Sequence, residues 1–451
     1  MNLARQLRAR AAANDPVRVG LVGCGKFATM FAAQVPTTSG LHLAGVVDRD
    51  VARARANLER AGWPVARTAA TSLDAAIAGG GTHLGDDADV LFADPRIDVV
   101  VEATGDPAAG FAHAAAAIDA SKHVVMVNVE ADVLAGPVLA RRAAERGVAY
   151  GYAHGDQPAL VCELVDWAET CGFTVVAAGK GTRYLPHFHG STPETVWTNM
   201  GFDPAMAEAA GMNPKMFNSF VDGTKSAIEM AAVANATGLR PQRRGLSFPP
   251  CGTGNLARVL RGREAGGVLD HERTVEVVAD LERDGRAIDD HLRWGVYVVV
   301  RAPNAYAARC LREYGVVADD DGYAALYRPF HLIGLELAVS VAAAGLRGET
   351  TGATRAFVAD VAAVAKRPLV AGEVLDGEGG STVYGQLLSA ADSLAKGALP
   401  IGLAHQVVLE RSLPAGALVT RADVSAPLHV AVANARRDIE ENFSKFGSQT
   451  S

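Results

Sequence analysis

Regular patterning begins at Val17. Residues Val17 to Val22 form an apolar run with one arginine, which suits a strand covered on both faces. Phe27 to Val35 follows as a helix, Leu41 to Val47 as a second strand, Val51 to Ala61 as a helix and Val65 to Ala69 as a third strand. Asp98 to Val101 and His123 to Val127 read as two more short, β-branched strands, with an alanine-rich helix over Gly110 to Ala120 between them. Strands separated by helices predict a parallel, doubly wound sheet.

After Val148 to Tyr150 the pattern changes. Ala159 to Cys171 and Pro214 to Ala236 read as helices, and Trp294 to Arg301 and Gly322 to Leu326 as strands of a second sheet. Glu264 to Asp290 is polar and charged, which predicts a surface excursion. A long helix over His331 to Ala344 is placed to return to the first domain. From Lys366 the chain turns glycine-rich with short β runs. Arg367-Pro-Leu-Val-Ala-Gly and Arg411-Ser-Leu-Pro-Ala-Gly share the pattern Arg-x-Leu-x-Ala-Gly. Two similar strand-turn units predict a small all-β module with pseudo-symmetry.

Composition narrows the class. A chain of 451 residues is too long for one core, so several domains are expected. A net charge of −7 argues against a nucleic-acid surface, which must neutralise phosphates. The five cysteines form no CxxC pair and leave an odd count, as reduced thiols do. Met1 to Asn14 is arginine- and alanine-rich and lacks the apolar core and cleavage site of a signal peptide. The longest apolar stretch, Leu335 to Ala344, is broken by Glu336 and falls short of a membrane span of roughly 18 residues. A cytoplasmic location, with no membrane or nucleic-acid partner, is the expectation.

The first strand–helix turn reads Gly23-Cys24-Gly25-Lys26-Phe27-Ala28, a GxGxxA. Gly23 permits the tight turn, Gly25 lets the backbone approach a pyrophosphate, and Ala28 lets the helix pack against the strand. The helix start, at Lys26 and Phe27, offers unpaired N–H groups to the phosphates. Asp48 ends the second strand near the position of a ribose-binding acid, which favours NAD, while the adjacent Arg49 suits the 2′-phosphate of NADP. Both cofactors remain open. Val100-Val-Glu-Ala-Thr-Gly105 supplies a second glycine turn, so Thr104, Gly105 and, after the next strand, Asn128 are expected on the nicotinamide side. Cys24 is read as small and half-buried rather than reactive.

Hydride transfer to a carbonyl needs a proton donor or electrophile beside the developing alkoxide. Lys180 stands between two glycines at the end of the strand Thr174 to Ala177, which points to an active-site role. Asn218, Asp222, Lys225 and Glu229 are spaced four, three and four apart, one polar stripe on a helix with small or apolar neighbours. Lys180 and Lys225 are the candidate positive charges, with Asp222 and Glu229 to orient them or to bind Mg²⁺ or Mn²⁺. His187 and His189, alternate residues of a strand, suit substrate hydrogen bonding better than metal ligation, with His189 the substrate-binding candidate. Arg183 and Arg328 are the candidate clamps for an anionic substrate, and Asn218 is a further substrate contact.

The Val19-Gly-Leu-Val-Gly-Cys-Gly strand, the Val100-Val-Glu-Ala-Thr-Gly turn and the Asn128 strand end resemble the homoserine dehydrogenase-like oxidoreductases. Asn128 is followed by Val129 and Glu130, so the lysine of that family's Asn-Lys pair is missing here. Asp222 precedes Lys225 by three residues where those enzymes have four. Lys366-Arg-Pro-Leu-Val-Ala-Gly-Glu and Leu413-Pro-Ala-Gly resemble the SAF domain, a β-clip module. The combination, with Tyr327-Arg-Pro-Phe-His-Leu, looks like the 1-deoxyxylulose 5-phosphate reductoisomerase-like enzymes. That resemblance implies reduction and isomerisation of 1-deoxy-D-xylulose 5-phosphate to 2-C-methyl-D-erythritol 4-phosphate with NADPH, a step of isoprenoid biosynthesis. The alternatives are a homoserine- or sugar-acid-type dehydrogenase, or a non-catalytic NAD(P)-binding sensor. The architecture expected is α/β: a Rossmann domain over 1–155, an α+β substrate domain over 156–362, a SAF-like β-clip over 363–430 and a tail over 431–451, in a homo-oligomer.

Overall fold

The computed structural model describes residues 2–209, 212–319, 321–426 and 429–446, so the last five residues of the expected tail lie outside the described residues. The chain divides into two compact units, Met1–Leu160 with Leu332–Arg355, and Val161–His331 with Ala356–Ser451.

The first unit is built on six parallel strands: β1 (Val17–Val22), β2 (Leu41–Val47), β3 (His83–Gly85), β4 (Val99–Glu102), β5 (His123–Met126) and β6 (Tyr150–Tyr152). Their order, β3-β2-β1-β4-β5-β6, is that of a dinucleotide-binding Rossmann sheet, with the reversal beside β1 and β4. The four central strands are apolar because helices cover both faces. Val65 to Ala69 is not the third strand: residues 65–68 form a 3₁₀ turn after Pro64, and the edge position goes to His83–Gly85. The returning helix begins at Ala338 rather than His331 and runs to Arg347, packing on β1, β4 and β5. Gly345 makes this approach close. A Cβ there would sit 2.5 Å from Val17 Cγ1.

The second unit carries a mixed sheet of β7 (Thr174–Thr182), β8 (Arg240–Pro241), β9 (Thr274–Ala279), β10 (Val296–Arg301) and β11 (Tyr323–Arg328), in the order β11-β10-β7-β9-β8. β10 runs antiparallel to both β11 and β7, whereas β7, β9 and β8 are parallel. The segment 264–290 is therefore no surface excursion, for β9 lies inside it and is buried throughout. Its one carboxylate, Glu276, is tolerated because the N–H groups of Ser247, Phe248 and Val277 and the Ser247 hydroxyl donate to it. The expected single helix 214–236 is two helices, Pro214–Val221 and Thr224–Thr237. They are broken at Asp222-Gly223, where Gly223 takes φ +88°. The second helix is buried nearly all round, between β9 on one side and the C-terminal strands on another.

Those C-terminal strands are β12 (Ala359–Ala365), β13 (Val374–Asp376), β14 (Val383–Ser389) and β15 (His405–Val408), paired antiparallel as β12–β14 and β13–β15. The repeat seen in the sequence is a pairing in space. Leu369 N–H donates to Leu413 C=O and Leu413 N–H to Leu369 C=O, both at 2.9 Å. Gly372 N–H reaches Leu409 C=O, and its counterpart Gly416 N–H reaches Ala365 C=O. Both glycines have positive φ, the conformation this turn demands. The module thus has a local two-fold relation. It falls within the second unit.

Candidate active site

In the first unit the loop after β1 has the geometry that its motif requires. Gly23 has φ +87°, and a Cβ on it would lie 2.7 Å from the Ala103 carbonyl oxygen. Gly25 is exposed, and a Cβ there would meet nothing within 4 Å. The helix Lys26–Gln34 starts at Gly25 with no side-chain cap, so its first N–H groups face open space at a positive dipole end. An open, uncapped glycine turn at the switch point of the sheet fits a dinucleotide pyrophosphate. Lys26 and Arg49 are exposed beside it and Phe27 is half-buried.

Asp48 is placed differently from a free ribose acceptor. Its Oδ2 accepts from Cys24 N–H at 2.8 Å, and its Oδ1 accepts from Asp50 N–H and the Arg53 guanidinium, both at 2.9 Å. Burial alone would raise its pKa, but these donors outweigh it and hold the carboxyl below its ordinary value. Asp48 therefore braces the glycine loop. Burial and the Asp48 charge push the Cys24 thiol up to about 11, which leaves it unreactive.

Thr104 and Gly105 are exposed at the end of β4. Asn128 is buried: its amide donates to Asp106 C=O at 2.8 Å and accepts from Ala131 N–H, tying the β4 loop to the helix Val129–Arg146.

In the second unit the polar stripe dissolves into two buried ion pairs. Lys180 lies within β7, opposite Val296 of β10 and Val277 of β9, and its Nζ donates to Glu229 Oε2. The glycines around it answer to packing. A Cβ on Gly179 would lie 1.8 Å from Glu276 C=O, and one on Gly181 2.0 Å from Leu292 C=O. Asp222 pairs with Lys366 at 2.7 Å, and its Oδ1 accepts from Thr224 N–H. Lys366 also donates to the Ser191 and Gly380 carbonyls, so its three protons are all used. Lys225 is half-buried one turn before Glu229. Asn218 donates to the carbonyls of Ser191 and Gly379, while its own Oδ1 is buried without a donor among the described residues. Each carboxylate is held by a lysine, Lys366 on Asp222 and Lys180 on Glu229. Among the described residues no group of three or more His, Cys, Asp or Glu side chains is set to hold a metal.

His187 and His189 sit on a 3₁₀ turn, Pro186–Gly190, and not on a strand. His187 is exposed. His189 is turned inward, bonded to Asp222 C=O and to the Tyr184 hydroxyl.

Three strand ends bring the arginines together. Arg183 follows β7, Asp280 follows β9, and Arg293 precedes the antiparallel β10, so all three lie at one edge of the sheet. Asp280 Oδ2 is 3.7 Å from Arg183 and 3.8 Å from Arg293, and its buried Oδ1 has no donor among the described residues. Burial raises the Asp280 pKa. Arg328 belongs to the same edge, opposite Val296, with its guanidinium 4.7 Å from the Phe330 ring centre. The sequence analysis singles out Arg183 and Arg328 of this arrangement, and does not single out Asp280, Arg293, Tyr184 or Lys366 as site candidates.

Residues 17–127 match the family described as "Oxidoreductase family, NAD-binding Rossmann fold", and residues 155–337 match "Oxidoreductase DRL, catalytic domain". A comparison with curated proteins finds no match. Among solved structures, myo-inositol dehydrogenase from Lactobacillus casei, in complex with NAD(H) and myo-inositol, is 14% identical. That match covers 69% of this chain and 74% of that one, with a TM-score of 0.35. Biliverdin reductase from Synechocystis is 23% identical over 38% of this chain and 48% of that one, with a TM-score of 0.25. This chain thus spans about half the length of the latter.

The two matched stretches fall on the Rossmann sheet of the first unit and on the mixed sheet of the second. The matches do not carry the finer expectations of a homoserine dehydrogenase, a SAF module or a place in isoprenoid biosynthesis.

Proposed function

We propose that this enzyme is a dehydrogenase acting on a CH–OH group of a small, polyhydroxylated, anionic substrate of the sugar-acid kind. The observation that carries this reading is Asp280, a buried carboxylate with a donorless oxygen between two arginines. Two guanidiniums around one carboxylate leave a local positive charge for a substrate anion, and the free oxygen suits an adjacent substrate hydroxyl.

The residues fit the cofactor, with Gly23, Gly25 and the helix start at Lys26 under the pyrophosphate and Thr104 and Gly105 at the strand edge. The bound nicotinamide takes up or supplies the hydride. Lys180, held by Glu229, lies one residue row inside the sheet edge. Arg183 and Arg293 bind the anionic group, and Asp280 orients the neighbouring hydroxyl.

The test is a screen of NAD(P)⁺ reduction and NAD(P)H oxidation against aldonates, polyols, sugar phosphates and semialdehydes, with and without Mg²⁺ or Mn²⁺. 1-Deoxy-D-xylulose 5-phosphate is one arm, where a rearranged product would instead support reduction with isomerisation. Turnover of a hydroxy acid or sugar derivative, with a KM raised about tenfold or more by Arg293→Met, supports the reading. Dinucleotide binding without turnover across the panel would mark a sensor instead.

A further inference from the structure

We infer that Tyr184 and His189 form an acid–base dyad in the second unit, held in register by Lys366 and Tyr384 from the C-terminal module. This rests on the hydride-transfer reading above.

The tautomer follows from the partners. His189 Nδ1 lies 2.8 Å from the Asp222 carbonyl oxygen, which can only accept, so Nδ1 carries the proton. In the neutral ring Nε2 is then an acceptor. It lies 3.0 Å from the Tyr184 hydroxyl, which donates to it.

Both rings are clamped. Tyr184 stacks on Phe248 with centroids 3.9 Å apart and planes 15° from parallel. His189 stacks on Tyr384 at 4.4 Å and 21°. Gly223 leaves the space, since a Cβ there would press to 3.2 Å from His189 Cε1. The helix break at Asp222-Gly223 is thus what turns the Asp222 carbonyl toward the imidazole. Lys366 fixes that corner by holding the Asp222 carboxylate and the Ser191 carbonyl together.

The charged groups facing the dyad are Asp222 and Lys366 beside His189, and Arg283 and Glu276 beside Tyr184. Burial dominates both environments. It pushes the Tyr184 phenol up to about 12 and His189 below its ordinary value, so the pair rests neutral. A neutral phenol bonded to a free imidazole nitrogen is set to pass one proton in either direction.

In the oxidative direction the substrate hydroxyl gives its proton to Tyr184 Oη as the phenol proton moves to His189 Nε2. His189 would be left as imidazolium and the C=O bond would form, a bound oxidised dinucleotide being the acceptor of the C–H electron pair. The reductive direction returns that proton to the new alkoxide.

The experiment uses the full chain, NADPH titration and the substrate panel above, with Tyr184→Phe and His189→Asn. Phenylalanine preserves the stack on Phe248, and asparagine preserves a donor to the Asp222 carbonyl. Each variant is expected to lower kcat about 100-fold, to leave KM and NADPH affinity within about twofold, and to remove the acid limb of the kcat–pH profile. ¹⁵N-histidine NMR of the wild-type protein reads the tautomer without any substrate and is expected to show Nδ1 protonated. An Nε2-protonated His189, or an unaltered kcat–pH profile in Tyr184→Phe, would overturn the dyad alone. NADPH binding with no turnover of any panel member would overturn the hydride-transfer reading and the dyad with it.

Discussion

Lys366 Nζ and Asp222 Oδ2 lie 2.7 Å apart across 144 residues of chain, both side chains almost wholly withdrawn from water. A buried pair of this kind contributes little net energy against apolar packing, but losing one partner strands the other charge. Lys366→Met is therefore expected to cost about 3–5 kcal/mol, and Asp222→Asn in the same chain to restore part of it. Chemical denaturation of the single and double variants reads this. A loss below about 1 kcal/mol in the single variant would show the pair to be solvated.

Gly25→Val separates binding from folding. The added side chain meets no protein atom near its Cβ, so thermal stability should stay close to wild type. The same side chain would fill the space of the pyrophosphate, and NADPH fluorescence enhancement should disappear. A folded variant that still binds NADPH would place the dinucleotide elsewhere.

Asp48→Ala removes the acceptor of two backbone N–H groups, Cys24 and Asp50, as well as any ribose contact. Affinity for both dinucleotides should fall, because the loop loses its brace, and NAD(H) should lose more than NADP(H). Equal losses in isothermal titration would assign Asp48 to the loop alone.

The depressed pKa of His189 has a stability consequence with a definite sign. The folded protein resists protonating this ring and the unfolded chain does not. Its contribution is therefore fully present above the unfolded value of about 6.5 and is lost as pH falls through the folded value. His42 and His123 are depressed for the same reason, burial, so the measurement is the difference between wild type and His189→Asn. The variant should lose less stability than wild type between pH 6.5 and 5, and parallel curves would contradict the assignment.

The Rossmann unit was legible because its strands are short apolar runs and its loop chemistry is local, confined to Gly23, Gly25 and Asp48. β3 escaped because a three-residue edge strand carries almost no period. β9 escaped because Glu276 and its polar flanks mask a buried strand whose charge is satisfied only in three dimensions. The break at Gly223 was visible as a residue but not as an event, since helical spacing runs on through it. Lys366 stands in the sequence only as the first residue of the SAF-like segment, because its partner is 144 residues away and no local pattern reports such a pairing. Tyr184 stood in the sequence beside Arg183, where nothing local marks a phenol that meets a histidine.

The helix Ala338–Arg347 carries a consequence for how the protein is made. Leu337, Val341, Ala342 and Ala344 pack into the same core as Val17, Val19, Val99 and Val101, so the first unit is completed by residues translated after nearly all of the catalytic sheet. At about 5–20 residues per second, the growing chain spends on the order of ten to forty seconds with that flank of the nucleotide-binding sheet uncovered. During this interval the ribosome-bound protein presents valines to solvent or to a chaperone. A gene truncated before Leu337 would make that passing exposure permanent.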